Sequence, residues 1–264
     1  MAHRRMPLIA PMNPIVRRKT SLSLFATLAI LATAAILPLH AQQNGQSNAL
    51  NDDEIIRRID AAVHTRTSSI SSYSVQELYS IFRNGEATPA AQVTVKTVYT
   101  RNAGKEYTPV AQSGSALLRN IIIDKVLANE KEMARAANRE SVALISANYE
   151  MHPEAGTVTF NGHTCVIVDL KARRKISYLF NGRGWFDVND FTLVHIEGSP
   201  AASPSFFAGS TRGRREYVKI EGFSMAHHAE LSSHSFLFGN TVLNIDYSNY
   251  QIQLSDNKLS DRVQ

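Results

Sequence analysis

The sequence predicts an α+β fold in which a wide antiparallel sheet curls as an incomplete β-barrel, with amphipathic helices covering one face. Three observations predict it. Period-two alternation recurs along most of the chain, Asn-Gly or Gly-Asn pairs separate many of the alternating segments, and two stretches carry a helical stripe of apolar residues instead. Alternation belongs to strands with one face on a core and one in water, and Asn-Gly supplies the positive φ angles of a two-residue hairpin turn. About nine to eleven such strands make a sheet wide enough to curl or split.

The chain opens on Arg4, Arg5, Arg17, Arg18 and Lys19, followed by an uncharged run from Ser21 to Leu39 built mostly of Leu, Ala, Ile and Thr. That order is expected of a secretory signal peptide over residues 1–41, with cleavage after Ala41 and export to the periplasm. The alternative is an uncleaved anchor, since a membrane span needs about 20 apolar residues. Pro38 and the Gln/Asn/Ser tract that follows Ala41 favour processing. No Cys follows the apolar run, so a lipid-anchored N-terminus is not expected. Residues 42–50 read as a polar spacer, 51–254 as a single domain and 255–264 as a polar tail.

Removing the signal changes the charge balance. It holds five of the 28 Lys and Arg and none of the 23 Asp and Glu, which leaves 23 basic against 23 acidic residues. The basic character therefore belongs to the signal, and a nucleic-acid partner loses its electrostatic footprint. Cys165 is the only cysteine, which excludes an intrachain disulfide and a Cys-rich metal site. It reads as a small buried apolar side chain.

Within the domain, Asn51 to Glu54 has the spacing of a helix N-cap and capping box. Ile55, Ile56, Ile59, Ala62 and Val63 then share one helical face, so a first amphipathic helix is expected over about 51–66, ended by the Thr65–Ser72 tract. From Tyr73 the period becomes two, with Val75, Glu77 and Tyr79 against Gln76, Leu78 and Ser80. Turns are expected at Asn84-Gly85, Asn161-Gly162, Asn181-Gly182 and Gly239-Asn240, and more loosely at Asn102 to Gly104. A second helix is expected over about 115–137, where Leu118, Ile121, Ile122, Leu127 and Met133 form the apolar stripe. Ser199 to Arg215 reads as a long loop around Phe206 and Phe207. Strands are expected again over 216–222, 229–237 and 241–253.

Several stretches carry a resemblance to a known family. They are Asn148-Tyr149, the segment from Asn161 to Leu170 with Gly162 and Cys165, the segment from Tyr178 to Asp187 with Gly182 and Trp185, and Ile196 to Pro200 followed by Pro204 to Phe207. With the order of signal, helix, strands, inserted helix and hairpins, the chain resembles the outer-membrane lipoprotein carrier and sorting proteins, in a less-studied branch, over about Asp52 to Gln253. The resemblance implies an incomplete β-barrel with a helical lid, an apolar cavity, and carriage or sensing of acylated molecules without catalysis.

On the residues, the expected site is an apolar concavity between sheet and helices. Phe206, Phe207, Leu118 and Ile122 are the candidate lipid contacts. Arg212, Arg214 and Arg215 are the candidate contacts to anionic headgroups or a membrane surface, where each cation contributes of order 1 kcal/mol. Arg173 to Lys175 is the other basic cluster and reads as a solvated turn. The expected partner is a lipid or lipoprotein acyl chain, with transient membrane contact, no cofactor and a monomeric state. Two other readings stay open: a protein-interaction or sensor domain whose cavity is filled by its own side chains, and a metal-dependent hydrolase at His228, Glu230 and His234, which alternation would place on one strand face. No Gly-x-Ser-x-Gly elbow, His-Glu-x-x-His motif or phosphate loop is present. Asp169, Asp187 and Glu197 read as solvated charges at strand ends.

Overall fold

A computed structural model describes residues 50–203, 210–235 and 239–255. Residues 1–41, where the sequence leads one to expect a signal peptide, most of the expected spacer, Phe206, Phe207 and the residues beyond Ser255 lie outside the described residues.

Asn51 caps the first helix, α1 (Asp52–Ser69), by accepting a hydrogen bond from the Glu54 amide at 2.8 Å. Asp52, Asp53 and Glu54 crowd the first turn and Arg66 sits in the last, which complements the helix dipole. The Glu54 carboxylate turns to Arg57 and Arg58 at 2.7 and 2.6 Å. The helix runs three residues further than the spacing predicts. Thr67 and Ser68 bond back to the carbonyls of Val63 and Thr65, so the polar tract stays helical instead of ending it. Strand β1 (Ile70–Arg83) follows with no loop.

β2 (Ala91–Thr100) and β3 (Gly104–Gly114) form a hairpin around residues 101–103, as the Asn102 to Gly104 signal predicts. The inserted helical region is longer and less regular than one helix over 115–137. Ser115 caps α2 (Ala116–Leu118), a π turn spans Arg119–Ile123, α3 covers Asp124–Ala134, and α4 covers Ala136–Val142 after a break at Arg135 with ψ 142°. A π turn adds a residue to the repeat. Here it lets Leu118, Ile122, Ile123 and Val126 all reach the core.

β4 (Tyr149–Pro153), β5 (Val158–Phe160), β6 (His163–Ala172), β7 (Phe180–Asp187), β8 (Leu193–Pro200), β9 (Ser210–Ile220), β10 (Phe223–Ser235) and β11 (Gly239–Leu254) complete one 11-stranded antiparallel sheet. Its order is β3-β2-β1-β11-β10-β9-β8-β7-β6-β4, with β5 paired to β6. The pairing of β1 with β11 joins the beginning of the domain to its end. The sheet remains open between β3 and β4, which makes it the curled sheet with covering helices that the sequence predicts.

Two turn assignments change and one turn is new. Asn161-Gly162 is the two-residue turn expected, with φ of 46° and 80°. Asn181-Gly182 is instead inside β7, where Gly182 pairs with Gly198, and Gly198 with Gly213 on β9. A Cβ on Gly182 would stand 2.0 Å from the Glu197 carbonyl oxygen, so glycine here permits close strand approach at a bend and does not make a turn. Gly239-Asn240 lies inside β11, with Asn240 opposite His234. A hairpin turn with no Asn occurs at Glu221-Gly222, at φ of 52° and 85°. The loop expected over 199–215 also shortens, because β9 begins at Ser210 and carries all three arginines.

Two apolar clusters form under the helices. One packs α2, the π turn and α3 against β1, β2, β10 and β11, around Tyr79, Ile81, Leu243 and Ile245. The other packs α1 against β4, β6 and β7, around Ile59, Tyr149 and Phe186. Each large side chain buried there contributes about 1.5–3 kcal/mol. The space between the two clusters is the site.

Candidate functional site

Where α1 and α4 face the concave side of the sheet, a cleft of about 340 Å³ remains unfilled. Its apolar wall comes from Ala62 and Val63 on α1, Leu144, Phe186 on β7, Phe191 and Leu193. Its floor is of a different kind. Inward positions of β1, β2 and β11 present Tyr73, Tyr99, Tyr247 and Tyr250, and Glu77, Lys105 and Arg215 lie beside them.

The floor is organised by ion pairs. Glu130 of α3, 8% exposed, accepts from Lys105 Nζ at 2.6 Å, Arg215 Nη2 at 3.2 Å and the Tyr107 hydroxyl at 3.2 Å. Burial pushes the Glu130 carboxyl up, but Lys105 and Arg215 outweigh it and hold it below the usual carboxylate range. Burial likewise opposes the charge on Lys105, and Glu130 restores it. Removing one partner from such a set leaves an uncompensated buried charge.

Glu77 is fully buried in the same network. Its Oε2 accepts from the Tyr79 hydroxyl at 2.5 Å, while Oε1 has no hydrogen-bond partner among the described residues. The buried Thr97 Oγ1 on β2 has no hydrogen-bond partner among the described residues either. Burial raises the Glu77 pKa, Lys105 opposes it and Glu130 adds to it, so the net shift favours the protonated acid.

Two more cations border the cleft. Arg66 of α1 donates Nε to the Ser224 carbonyl at 3.0 Å and lies 3.6 Å from Met225 Sδ. Arg139 of α4 donates to the Tyr99 hydroxyl and to the Arg101 carbonyl at 2.5 Å, with its guanidinium over the Tyr99 ring. Tyr99 stacks on Tyr73 at 4.9 Å, and Tyr73 meets Tyr250 at 6.1 Å. Alternation puts Tyr73 and Tyr99 on the inward face, and Tyr250 joins them because the pairing of β1 with β11 shifts by one residue between Ser74 and Gln76, beside Asn249 at φ 57°.

The structure places the sequence-derived candidates in different surroundings. Leu118 and Ile122 are buried in the cluster under α2 and α3 and do not line the cleft. Adjacent positions on a strand face opposite ways, which divides the arginines. Arg215 enters the cleft floor, Arg214 is exposed and pairs with Glu230 at 3.0 Å, and Arg212 is exposed. His228 bonds to Asp246 and His234 to Asn240, each at 2.7 Å, and no cluster of metal-ligating side chains occurs among the described residues. Asp187 is not solvated. It is 1% exposed and bonds to His163 Nδ1 at 2.7 Å, Lys219 Nζ at 2.9 Å and the Asn189 amide, so despite burial its carboxyl is held far below the usual range. Arg173, Arg174 and Lys175 are exposed at the bend that follows β6, and Arg173 and Arg174 also donate to the carbonyls of Ser146 and Ser141.

Sequence reading missed Glu77, Lys105, Glu130, Arg66 and Arg139. One signal was present: Glu77 falls between Val75 and Tyr79 in the inward alternation, where a lone acid needs a reason. Glu130 had none, since it reads as part of a solvated helix face.

No protein-family model matches the chain, and no curated protein matches it. Solved structures similar to it include a LolA superfamily protein from Nitrosomonas europaea, 12% identical over 80% of this chain and 97% of that one, with a TM-score of 0.40. An outer-membrane lipoprotein-sorting protein domain from Vibrio parahaemolyticus is 12% identical over 78% and 96%, with a TM-score of 0.44. The MucA/MucB complex of Pseudomonas aeruginosa contains a chain 9% identical over 78% and 95%, with a TM-score of 0.25.

Proposed function

We propose that this chain is a non-enzymatic binding protein, exported after loss of residues 1–41, whose 51–254 domain carries a lipid or lipoprotein acyl chain in the cleft between α1 and the concave sheet. The observation that carries this reading is the cleft itself. About 340 Å³ is left between helices and sheet, at the lower end of the roughly 300–1,000 Å³ common for ligand sites. A domain that used this face only for packing would fill that space with its own side chains, which is what the sensor reading requires. Ala62, Val63, Phe186, Phe191 and Leu193 supply an apolar wall suited to methylene groups, each worth about 0.8 kcal/mol when buried. The size of the cleft suits one chain.

The test is native purification of the exported form, lipid mass spectrometry of what co-purifies, and titration of the delipidated protein with NBD-labelled dodecanoate. A co-purifying acyl species and saturable fluorescence, both lost in a cleft-filling Ala62→Trp variant that retains its circular dichroism, are expected. No acyl species and no saturable binding would overturn the proposal.

A further inference from the structure

We propose that the cleft selects ligands bearing an anionic head, a carboxylate or a phosphate, and that Arg66 and Arg139 recognise it. This inference rests on the ligand-binding reading above and adds the chemical class of the ligand.

The first argument is charge. Arg66, Lys105, Arg139 and Arg215 line the cleft, and Glu77 is the only carboxylate among the lining residues. Glu130 lies behind the lining and is shared by Lys105 and Arg215. Arg66 and Arg139 have no carboxylate partner among the described residues. Their bonds go to the Ser224 and Arg101 carbonyls, the Tyr99 hydroxyl and the Met225 sulfur. A guanidinium stays charged in any protein setting and carries five donors, so each of these two retains donors and a full charge that the protein leaves uncompensated.

The second argument is placement. One aromatic strip connects the two guanidinium groups. Arg139 lies over Tyr99, Tyr99 stacks on Tyr73, and Tyr73 meets Tyr250. The Tyr250 hydroxyl donates to the Ala226 carbonyl, one residue from Met225, on which Arg66 rests. The positive charge of Arg66 is felt at the Tyr73 hydroxyl. A head lying on this strip has Arg139 on its Tyr99 side and Arg66 on its Tyr250 side. The apolar wall toward Phe186, Phe191 and Leu193 takes the chain. A carboxylate or phosphate there gains charge-assisted hydrogen bonds, about twice as strong as neutral ones, which a neutral head does not.

The experiment compares NBD-labelled dodecanoate with its methyl ester, which has the same chain and no charge. Dodecyl phosphate and unlabelled dodecanoate serve as competitors, to distinguish a phosphate from a carboxylate source. The acid is expected to bind at least about tenfold more tightly than the ester, the scale set by one charge-assisted contact. The preference should shrink at 1 M salt, because such contacts at a cleft open to solvent are screened. Arg66→Gln and Arg139→Gln should each bring the ratio toward one while ester binding is kept, and the Lys variants should restore part of it. Unchanged ester binding shows that a variant has folded. Equal binding of acid and ester by the wild-type protein overturns this inference and leaves the binding reading standing. Failure of both probes overturns the binding reading, and this inference with it.

Discussion

Lys105 at the start of edge strand β3 and Glu130 in the middle of α3 meet at 2.6 Å inside the protein, and the same carboxylate reaches Arg215 on β9 at 3.2 Å. One acid thus joins the covering helix to two distant strands of the sheet. A charge so placed is stable only while its partners remain, and this makes the network measurable.

Glu130→Gln is expected to destabilise the domain by about 3 kcal/mol, because it leaves Lys105 and Arg215 buried without a counter-charge. The depressed Glu130 pKa sets the direction of the pH effect. Its pairing contributes stability above the unfolded value near 4.5, and that contribution is lost as pH falls toward about 2. Urea denaturation of wild type and variant should therefore differ most near neutral pH and converge in acid. A constant difference across pH would refute the assignment.

Glu77→Gln should behave in the opposite way. The Glu77 pKa is raised by burial, so the wild-type acid is fully accommodated below its unfolded value, and stability is lost as pH rises through the folded value. The amide keeps an acceptor for the Tyr79 hydroxyl and never ionises. At pH 4 the two proteins should be nearly equal in urea denaturation. At pH 8 the variant should be more stable, by of order 1 kcal/mol for every tenfold by which burial disfavours ionisation.

The glycine row across β7, β8 and β9 separates close approach from mere absence of a side chain. A methyl group at Gly182 would lie 2.0 Å from the Glu197 carbonyl oxygen and 2.6 Å from Gly198 Cα, whereas at Gly213 the nearest atom is 3.7 Å away. Gly182→Ala should cost about 3 kcal/mol or prevent folding, as overpacking against backbone does. Gly213→Ala should change stability by less than about 1 kcal/mol. Equal thermal melting shifts for the two variants would contradict this reading of the bend.

Features that depend on a few neighbouring residues were legible along the chain. Asn51 sets the start of α1, the alternation of Val75, Glu77 and Tyr79 sets the inward face of β1, and Asn161-Gly162 sets a hairpin, because capping, pleat and positive φ are local properties. The wide sheet and the helices that cover it follow from counting such elements. Asn181-Gly182 marks where local reading ends: the same dipeptide serves as a turn or as a close crossing, and the neighbour that decides is Gly198 on another strand. Most of the site lies beyond that limit, although Arg215 was a candidate contact and the inward position of Glu77 was readable from alternation. Glu130 looks like a solvated helix residue until α3 folds over Lys105 and Arg215, and Leu118 and Ile122 look like lining until the π turn directs them into the core. Arg66 and Arg139 border one cleft only after β1 pairs with β11 and α4 settles over β2. Periodicity specifies which face of an element is buried. What that face is buried against depends on contacts between residues far apart in the chain, and those exist only once the chain has folded.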